Sequence, residues 1–288
     1  MRRSTGGSTL SREDLTAWVR VLLASAVVYA KDLLALYSTW GFMLVRLSVP
    51  MFMIATAWAL SRLSGGMSPF EALGYSDYVA FVAIGFSLYS LLTATLFDVG
   101  ERLHRELVQG TLEAILVTPA SRFSWLFGNA LGSLGVSLLD LVIILAYYTI
   151  IFGSASLHLE AAPQAAAVLA LGFIGMVGMG LLLGGIIVNL KEPHAFNVML
   201  TPFLMLLSGM MFPVEVLPSP LDTAAELIPL TLTLEAVRSL LLKGGGISSV
   251  EGLLVKLAIE AVVYTLAGYM VFKTLEERAR RSGGLTKF

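Results

Sequence analysis

Cysteine is absent from the 288 residues, which excludes disulfides, thiolate metal sites and cysteine nucleophiles. Charge is also scarce, because charged residues make up 14% of the chain and hydrophobic residues 57%. A soluble domain carries about a quarter charged residues. With a mean hydropathy of +0.82, the chain has too little charge to cover a water-exposed surface, so the sequence predicts that lipid is part of its solvent. The net charge of −1 gives no basic field, and nucleic acid is not expected as a partner.

Motifs for hydrolytic chemistry are missing as well. Neither H-E-x-x-H nor G-x-S-x-G occurs, although one such constellation would be needed by an intramembrane enzyme. The three histidines, His104, His158 and His194, are scattered without ligand spacing, so no metal site is expected. The sequence therefore disfavours an enzyme and leaves transport as the leading class of function.

Long apolar segments dominate what is present. A helix needs about 20 mostly apolar residues to cross a bilayer core, and only helices and closed barrels satisfy their backbone in lipid. Six segments are candidates: 41–60, 78–97, 125–152, 164–188, 197–212 and 253–272, of which the fifth is short and leads into a proline-rich segment. We therefore predict an all-α polytopic membrane protein with six transmembrane helices.

Residues 13–38 form a separate amphipathic segment. Leu22, Tyr29 and Leu33 share one helical face, whereas Arg20 and Lys31 lie on another, a pattern typical of a helix in the membrane interface. The alternative is an additional span. Arg20 and Lys31 bracket only residues 21–30, which is too short to cross, so the interfacial helix is favoured.

Lysine and arginine concentrate on the cytoplasmic side of membrane proteins, and their distribution predicts the orientation of the chain. One set of loops and ends holds Arg2, Arg3, Arg12, Arg20, Lys31, Arg102, Arg105, Arg122, Lys191, Lys273, Arg278, Arg280, Arg281 and Lys287. The opposite set holds only Arg62, Arg238, Lys243 and Lys256. Both termini are therefore expected in the cytoplasm of a protein of the cell membrane.

The loop between the second and third spans carries the most distinctive pattern, and we call residues 98–124 the coupling loop. A charged helical end reaches Gln109-Gly110-Thr111, and a short amphipathic helix follows, with Leu112 and Glu113 on opposite sides. Thr118-Pro119 ends it, because proline disfavours the helical conformation in the residue before it. A short surface helix of this kind either connects two spans or serves as a grip for a soluble partner.

The residues from Glu106 through Gly110-Thr111-Leu112-Glu113 to Thr118-Pro119-Ala120-Ser121-Arg122 resemble the signature of the ABC-2 type permease family. A second resemblance runs through Ser208-Gly209-Met210-Met211-Phe212-Pro213, Leu217-Pro218, Pro229-Leu230-Thr231 and Glu235-Ala236-Val237-Arg238. In that family the second region forms re-entrant extracytoplasmic helices before the last span. The prolines between residues 213 and 229 break any continuous helix, which agrees with re-entry of residues 213–245.

This resemblance implies a permease subunit for ATP-driven transport, more often export than import. It implies that the coupling loop docks an ABC ATPase subunit through Glu106, Gly110, Thr111, Leu112, Glu113, Thr118 and Pro119. No lysine follows glycine and precedes Ser or Thr, so the chain lacks a phosphate loop. No cofactor is expected on this chain, and ATP and Mg²⁺ would be bound by the separate ATPase. The resemblance also implies a homodimer or a heterodimer with a similar permease.

Two intramembrane carboxylates are candidates for the translocation pathway: Asp140 in the third span and Glu260 in the sixth. Charged residues in lipid are costly and face a bundle interior or an aqueous path. The alternative for each is a local hydrogen bond to a neighbouring helix, without a role in transport, and it is the favoured explanation for Glu260. A secondary transporter driven by an ion gradient, with either residue as its coupling site, is the alternative function. Gly128-x3-Gly132 and Gly180-x3-Gly184 predict close helix packing inside the subunit.

The predicted organisation has three parts. Residues 1–40 form the cytoplasmic N-terminus with its interfacial helix. Residues 41–272 form the six-span domain, which includes the coupling loop and the re-entrant region. Residues 273–288 form a cytoplasmic tail.

Overall fold

The computed structural model describes residues 12–36, 39–63, 75, 77–108, 122–153, 156–187 and 193–281. Every regular element in this part of the chain is helical, which confirms the predicted all-α class. The helices are α1 (Arg12–Leu36), α2 (Thr39–Leu63), α3 (Tyr78–Val108), α4 (Arg122–Phe152), α5 (Ala162–Ile187), α6 (Pro193–Leu207), α7 (Leu221–Ala225), α8 (Pro229–Leu241) and α9 (Glu251–Arg281). Single 3₁₀ turns at Leu159–Ala161, Val214–Val216 and Ile247–Val250 precede α5, α7 and α9.

Four helices in the described part of the chain are long and apolar enough to cross a membrane. Their apolar stretches are Tyr78–Leu96, Phe127–Phe152, Leu159–Gly184 and Ile247–Val271. Each of the six predicted spans coincides with a helix, but α6 has only 15 residues. At about 1.5 Å of rise per residue, α6 is about 22 Å long, which is shorter than a bilayer core of about 30 Å.

Four predicted helix ends differ from the structure by four residues or more. The segment predicted as 197–212 is helical from Pro193 and ends at Leu207, because Gly209 adopts a φ of +72°, a conformation that ends helices and favours glycine. By contrast, α3 continues past residue 97 to Val108, and α9 continues past residue 272 to Arg281. Both extensions are rich in Arg and Glu, which are good helix formers in water.

Glycines bring the central helix α5 against its neighbours. A side chain on Gly180 would strike the backbone carbonyl of Thr95 in α3, and one on Gly172 would strike Thr233 in α8. A Cβ on Gly178 would lie 2.5 Å from the backbone nitrogen of Thr265 in α9. The backbone of α5 therefore approaches the backbones of α3 and α9 directly and meets a side chain of α8, as in the small-residue interfaces of membrane helices.

Helix α1 packs along α4 through the other predicted glycine pair. Gly128 meets Leu22 and Ser25, and a Cβ added to Gly132 would lie 2.8 Å from the ring of Tyr29. Leu22 and Tyr29 are buried, and Arg20 and Lys31 are exposed, as the predicted faces require. The apolar part of α1 spans only Thr16–Tyr29, which is too short to cross a bilayer.

An acidic residue joins the start of α3 to the end of α4. Asp77 caps α3 by accepting a hydrogen bond from the Ala80 amide at 3.0 Å, as N-cap residues do. Its other oxygen accepts hydrogen bonds from the hydroxyls of Tyr148 at 2.5 Å and Ser156 at 2.9 Å. The two helices are therefore antiparallel, so Val108 and Arg122 lie together at the opposite end of the pair.

Candidate functional site

One of the predicted docking residues lies at the end of the α3–α4 pair that is opposite Asp77. Glu106 belongs to the last turn of α3. Gly110, Thr111, Leu112, Glu113, Thr118 and Pro119 lie outside the residues that the structure describes. The structure therefore describes only the two ends of the coupling loop, in α3 up to Val108 and in α4 from Arg122, and the docking role stays a prediction.

A buried arginine organises the opposite end of the molecule, where residues 208–241 form a segment that we call the cap. Helix α8 within the cap has all but two of its thirteen residues buried. Arg238 on this helix is only 3% exposed. A buried cation is costly unless it is fully hydrogen-bonded, so its contacts define how the cap is held.

The guanidinium of Arg238 donates to backbone carbonyls rather than to a carboxylate. Nη1 donates to the carbonyl of Gly209 at 2.7 Å, and Nη2 donates to those of Met210 at 2.7 Å and Phe81 at 3.0 Å. Gly209 and Met210 follow α6, whereas Phe81 lies in the first turn of α3. One side chain of α8 therefore joins three elements that are far apart in sequence.

Aromatic rings cover the same cation. The guanidinium carbon of Arg238 lies 3.4 Å from the ring centroid of Phe81, a cation–π geometry. Tyr75 meets Phe81 edge-to-face at 4.8 Å, and Lys243 lies 4.1 Å above the Tyr75 ring. Burial raises the pKa of Tyr75 to about 12 despite the opposing effect of Arg238, so Tyr75 is a neutral phenol at physiological pH.

Gly85, one turn along α3 from Phe81, makes this contact possible. A side chain there would meet the carbonyl oxygen of Met210 and Nη2 of Arg238. The cap therefore touches α3 at the level of the backbone, with no intervening side chain to absorb a displacement.

A small cavity beside Arg238 is lined by polar and acidic groups, among them Ser208, Thr231, Glu215 and Glu235. Nε of Arg238 and the hydroxyl oxygen of Thr231 are buried and have no hydrogen-bond partner in the described part of the chain. Burial, followed by the negative charges of Glu215 and Glu226, raises the pKa of Glu235. Two carboxylates in the lining disfavour an anionic ligand, so the geometry suits water.

The two intramembrane carboxylates are not brought together. Asp140 lies in α4 and Glu260 in α9, helices without an extended contact. Both side chains are partly buried. One oxygen of Glu260, Oε2, is buried and lacks a hydrogen-bond partner among the described residues. The nearby Lys256 pairs instead with Glu226 at 3.0 Å.

Sequence reasoning placed Arg238 in a family pattern and among the extracytoplasmic charges, but it missed the buried contacts. The available signal was a single arginine among Leu230, Leu232, Leu234, Val237, Leu240 and Leu241, because a charge inside an apolar helix must find partners in the protein. Asp77 was missed as well, although an acidic residue immediately before an apolar helix is a recognised N-cap signal.

Helices long enough to span a membrane and a buried polar cap define a multi-pass helical membrane protein. The model of the ABC-2 type transporter family matches residues 24–242, which include α2 to α8 and the whole cap. The chain belongs to this family, and it is a permease component of an ABC transporter. Family membership implies partnership with an ABC ATPase subunit. No curated protein matches the chain.

Proposed function

We propose that this chain is the six-span permease subunit of an ATP-driven exporter in the cell membrane. Two permease subunits, identical or homologous, form the pathway between them. Separate ATPase subunits bind ATP and Mg²⁺ and dock on the coupling loop. The observation that carries this proposal is the length of α3. Its apolar stretch ends at Leu96, but the helix continues to Val108, about 18 Å further.

The extension of α3 beyond Leu96 is consistent with a docking role for the coupling loop. We infer that the rest of the coupling loop lies beyond the apolar layer, because α3 continues from Leu96 to Val108 and α4, which packs against α3, begins at Arg122. A soluble ATPase can reach such a loop without entering lipid. The family motif falls on this loop, and the two observations together support docking through Glu106 and Gly110 to Pro119.

The proposed orientation gains support from the burial of Arg238. Four cations lie on the side with few positive charges, and the Arg238 side chain is in the protein interior. Only Arg62, Lys243 and Lys256 are then exposed on that side. The asymmetry of exposed positive charge is therefore stronger than the sequence count indicates, which favours cytoplasmic termini.

The six-span topology requires α2 and α6 to serve as the first and fifth spans. Helix α2 has 25 residues, about 38 Å, which exceeds the bilayer core. Helix α6 is short, but the cap folds directly against its end. In this arrangement α6 and the cap together fill the outer part of the membrane, and α7 and α8 re-enter without crossing.

Docking is tested by charge reversal on the coupling loop. Glu113→Arg should abolish co-purification of the ATPase subunit and its stimulated hydrolysis of ATP, because a docking contact of one sign becomes repulsive. Glu251→Arg is the matched control, since Glu251 is an exposed glutamate at the start of α9, on the opposite side of the membrane. Retention of docking and stimulated hydrolysis in Glu113→Arg, with the fold intact, would overturn the assignment.

The alternative is transport driven by an ion gradient, and the buried oxygen of Glu260 is the observation that favours it. A carboxyl oxygen in the membrane that has no hydrogen-bond partner among the described residues is suited to bind and release a proton. This alternative predicts substrate movement in vesicles that contain the permease alone with a pH gradient. The proposed function predicts movement only with the ATPase and ATP.

A further inference from the structure

A single uninterrupted helix connects the coupling loop to the cap. Helix α3 has 31 residues, from Tyr78 to Val108, and is about 46 Å long. Its end, from Asp98 to Val108, belongs to the coupling loop, and its first turn contains Phe81, whose carbonyl accepts a hydrogen bond from Arg238. A movement applied to one end of this helix therefore reaches the other end directly.

The contact at the cap end is unusually rigid. Residues Val79 to Gly85 are all buried, so α3 is enclosed there on every side. The acceptors of Arg238 are backbone carbonyls, which cannot rotate to follow a moving donor as side chains can. Because Gly85 places the backbone of α3 against Met210, a shift of α3 must either carry the cap with it or break these hydrogen bonds.

We propose that Arg238 is the positioning residue that transmits the movement of α3 to the cap, so that the ATPase controls the extracytoplasmic side of the pathway through this one contact. This inference rests on the proposed function, because it requires the ATPase to act on the coupling loop. It adds a residue on the far side of the membrane to the coupling machinery. No direct contact with a transported substrate is needed for this role.

Lysine cannot replace arginine here, although it keeps the positive charge. The planar guanidinium reaches the carbonyls of Gly209, Met210 and Phe81 together, whereas a compact ammonium on a flexible stem lacks this fixed fork. Arg238→Lys therefore separates loss of charge from loss of the three-way contact. Phe81→Leu provides a second, milder variant, because it removes the ring but leaves the backbone carbonyl in place.

Because the chain contains no cysteine, a single introduced thiol can report the exposure of the cap. Ser208→Cys is nearly isosteric and places a thiol at a position that is fully buried in the cap. The permease–ATPase complex is reconstituted in vesicles and labelled with a membrane-impermeant maleimide, both without nucleotide and after trapping with ATP and vanadate. Val216→Cys is the labelling control, because Val216 is already 59% exposed.

We expect the labelling rate of Ser208→Cys to change several-fold on nucleotide trapping, while that of Val216→Cys stays constant. Adding Arg238→Lys should remove the nucleotide dependence, although the ATPase still docks and hydrolyses ATP. A purely structural arginine would lower the melting temperature but leave the nucleotide dependence intact below it, and that result would overturn the proposal. If Arg238→Lys does not fold, the same comparison is made with Phe81→Leu, which should weaken the nucleotide dependence.

Two further outcomes separate this inference from the proposed function. If the ATPase docks and hydrolyses ATP but the thiol in Ser208→Cys never responds to nucleotide, no movement reaches the cap, and the role of Arg238 is wrong while docking stands. If the ATPase does not bind the permease that retains Arg238, the proposed function fails, and the inference fails with it.

Discussion

The interface between α5 and α9 offers a sharp test of the packing. An added Cβ on Gly178 would lie 2.5 Å from the nitrogen and 2.9 Å from the Cα of Thr265. Carbon atoms pack best at about 3.5–4.0 Å. Both atoms belong to the backbone of α9, so no change of rotamer relieves the overlap. Gly178→Ala should therefore push the two helices apart by about 1 Å, as judged from that optimum.

The cost follows from two opposing effects. Overpacking of a tight core costs about 1–3 kcal/mol, and a contact with backbone belongs at the upper end of this range. Alanine also favours the helix over glycine by about 1 kcal/mol. The net destabilisation expected for Gly178→Ala is about 2 kcal/mol. Gly135→Ala is the matched control, because a Cβ at Gly135 in α4 meets no atom within 4 Å and only the favourable effect remains.

The two variants are compared by thermal unfolding of the purified protein in one detergent, followed by tryptophan fluorescence. Their free energies should differ by about 3 kcal/mol. At about 2–4 °C for each kcal/mol, Gly178→Ala should melt several degrees below Gly135→Ala. If Gly178→Ala melts at or above the temperature of Gly135→Ala, then close backbone approach does not require glycine at position 178.

Three further substitutions test other parts of the structure. Tyr148→Phe removes the hydroxyl that donates to Asp77 and should cost about 1.5–3 kcal/mol, as hydrogen bonds to charged groups do; Tyr147→Phe is the control, and equal melting temperatures would contradict the prediction. Glu260→Gln removes an acidic group whose buried oxygen has no partner in the described structure, so it should leave ATP hydrolysis by the docked ATPase unchanged, and loss of that hydrolysis would refute this. Gly132→Ile should displace α1 from α4 and speed tryptic cleavage within α1, whereas an unchanged cleavage rate would show that the contact does not hold α1.

Local sequence patterns were enough to predict the helices. Apolar segments of sufficient length led directly to α2, α3, α4, α5 and α9, because hydropathy and helical periodicity are properties of neighbouring residues. The close packing predicted from the glycine spacings is confirmed at Gly128, Gly132 and Gly180. The sequence alone did not tell that Gly128 faces α1 whereas Gly180 faces α3, since the partner of a small residue depends on the three-dimensional arrangement of helices.

The contacts of Arg238 could not be predicted from the sequence either, because they join residues that are far apart along the chain. Its acceptor at Phe81 is 157 residues away along the chain, and no local pattern specifies such a pair. The backbone carbonyls of Gly209 and Met210 are equally invisible in a sequence, because every residue has one. The helix ends at Val108 and Leu207 needed structural information too. In the first case charged residues continue the helix beyond its apolar stretch, and in the second a left-handed glycine stops it.

The choice of backbone acceptors for Arg238 has a physical consequence that an ion pair would lack. A carboxylate partner would neutralise the charge but would also follow the guanidinium through changes of its own rotamer. Three carbonyls fixed in α3 and in the turn after α6 offer no such freedom, so their hydrogen bonds hold only in one relative position of these elements. Glu215 acts on the same arginine from a distance and eases the burial of its charge without taking part in this alignment. Charge compensation and positioning are therefore supplied by different groups. Glu215→Gln should consequently lower the melting temperature of the protein. The labelling rate of the thiol in Ser208→Cys should still change on nucleotide trapping.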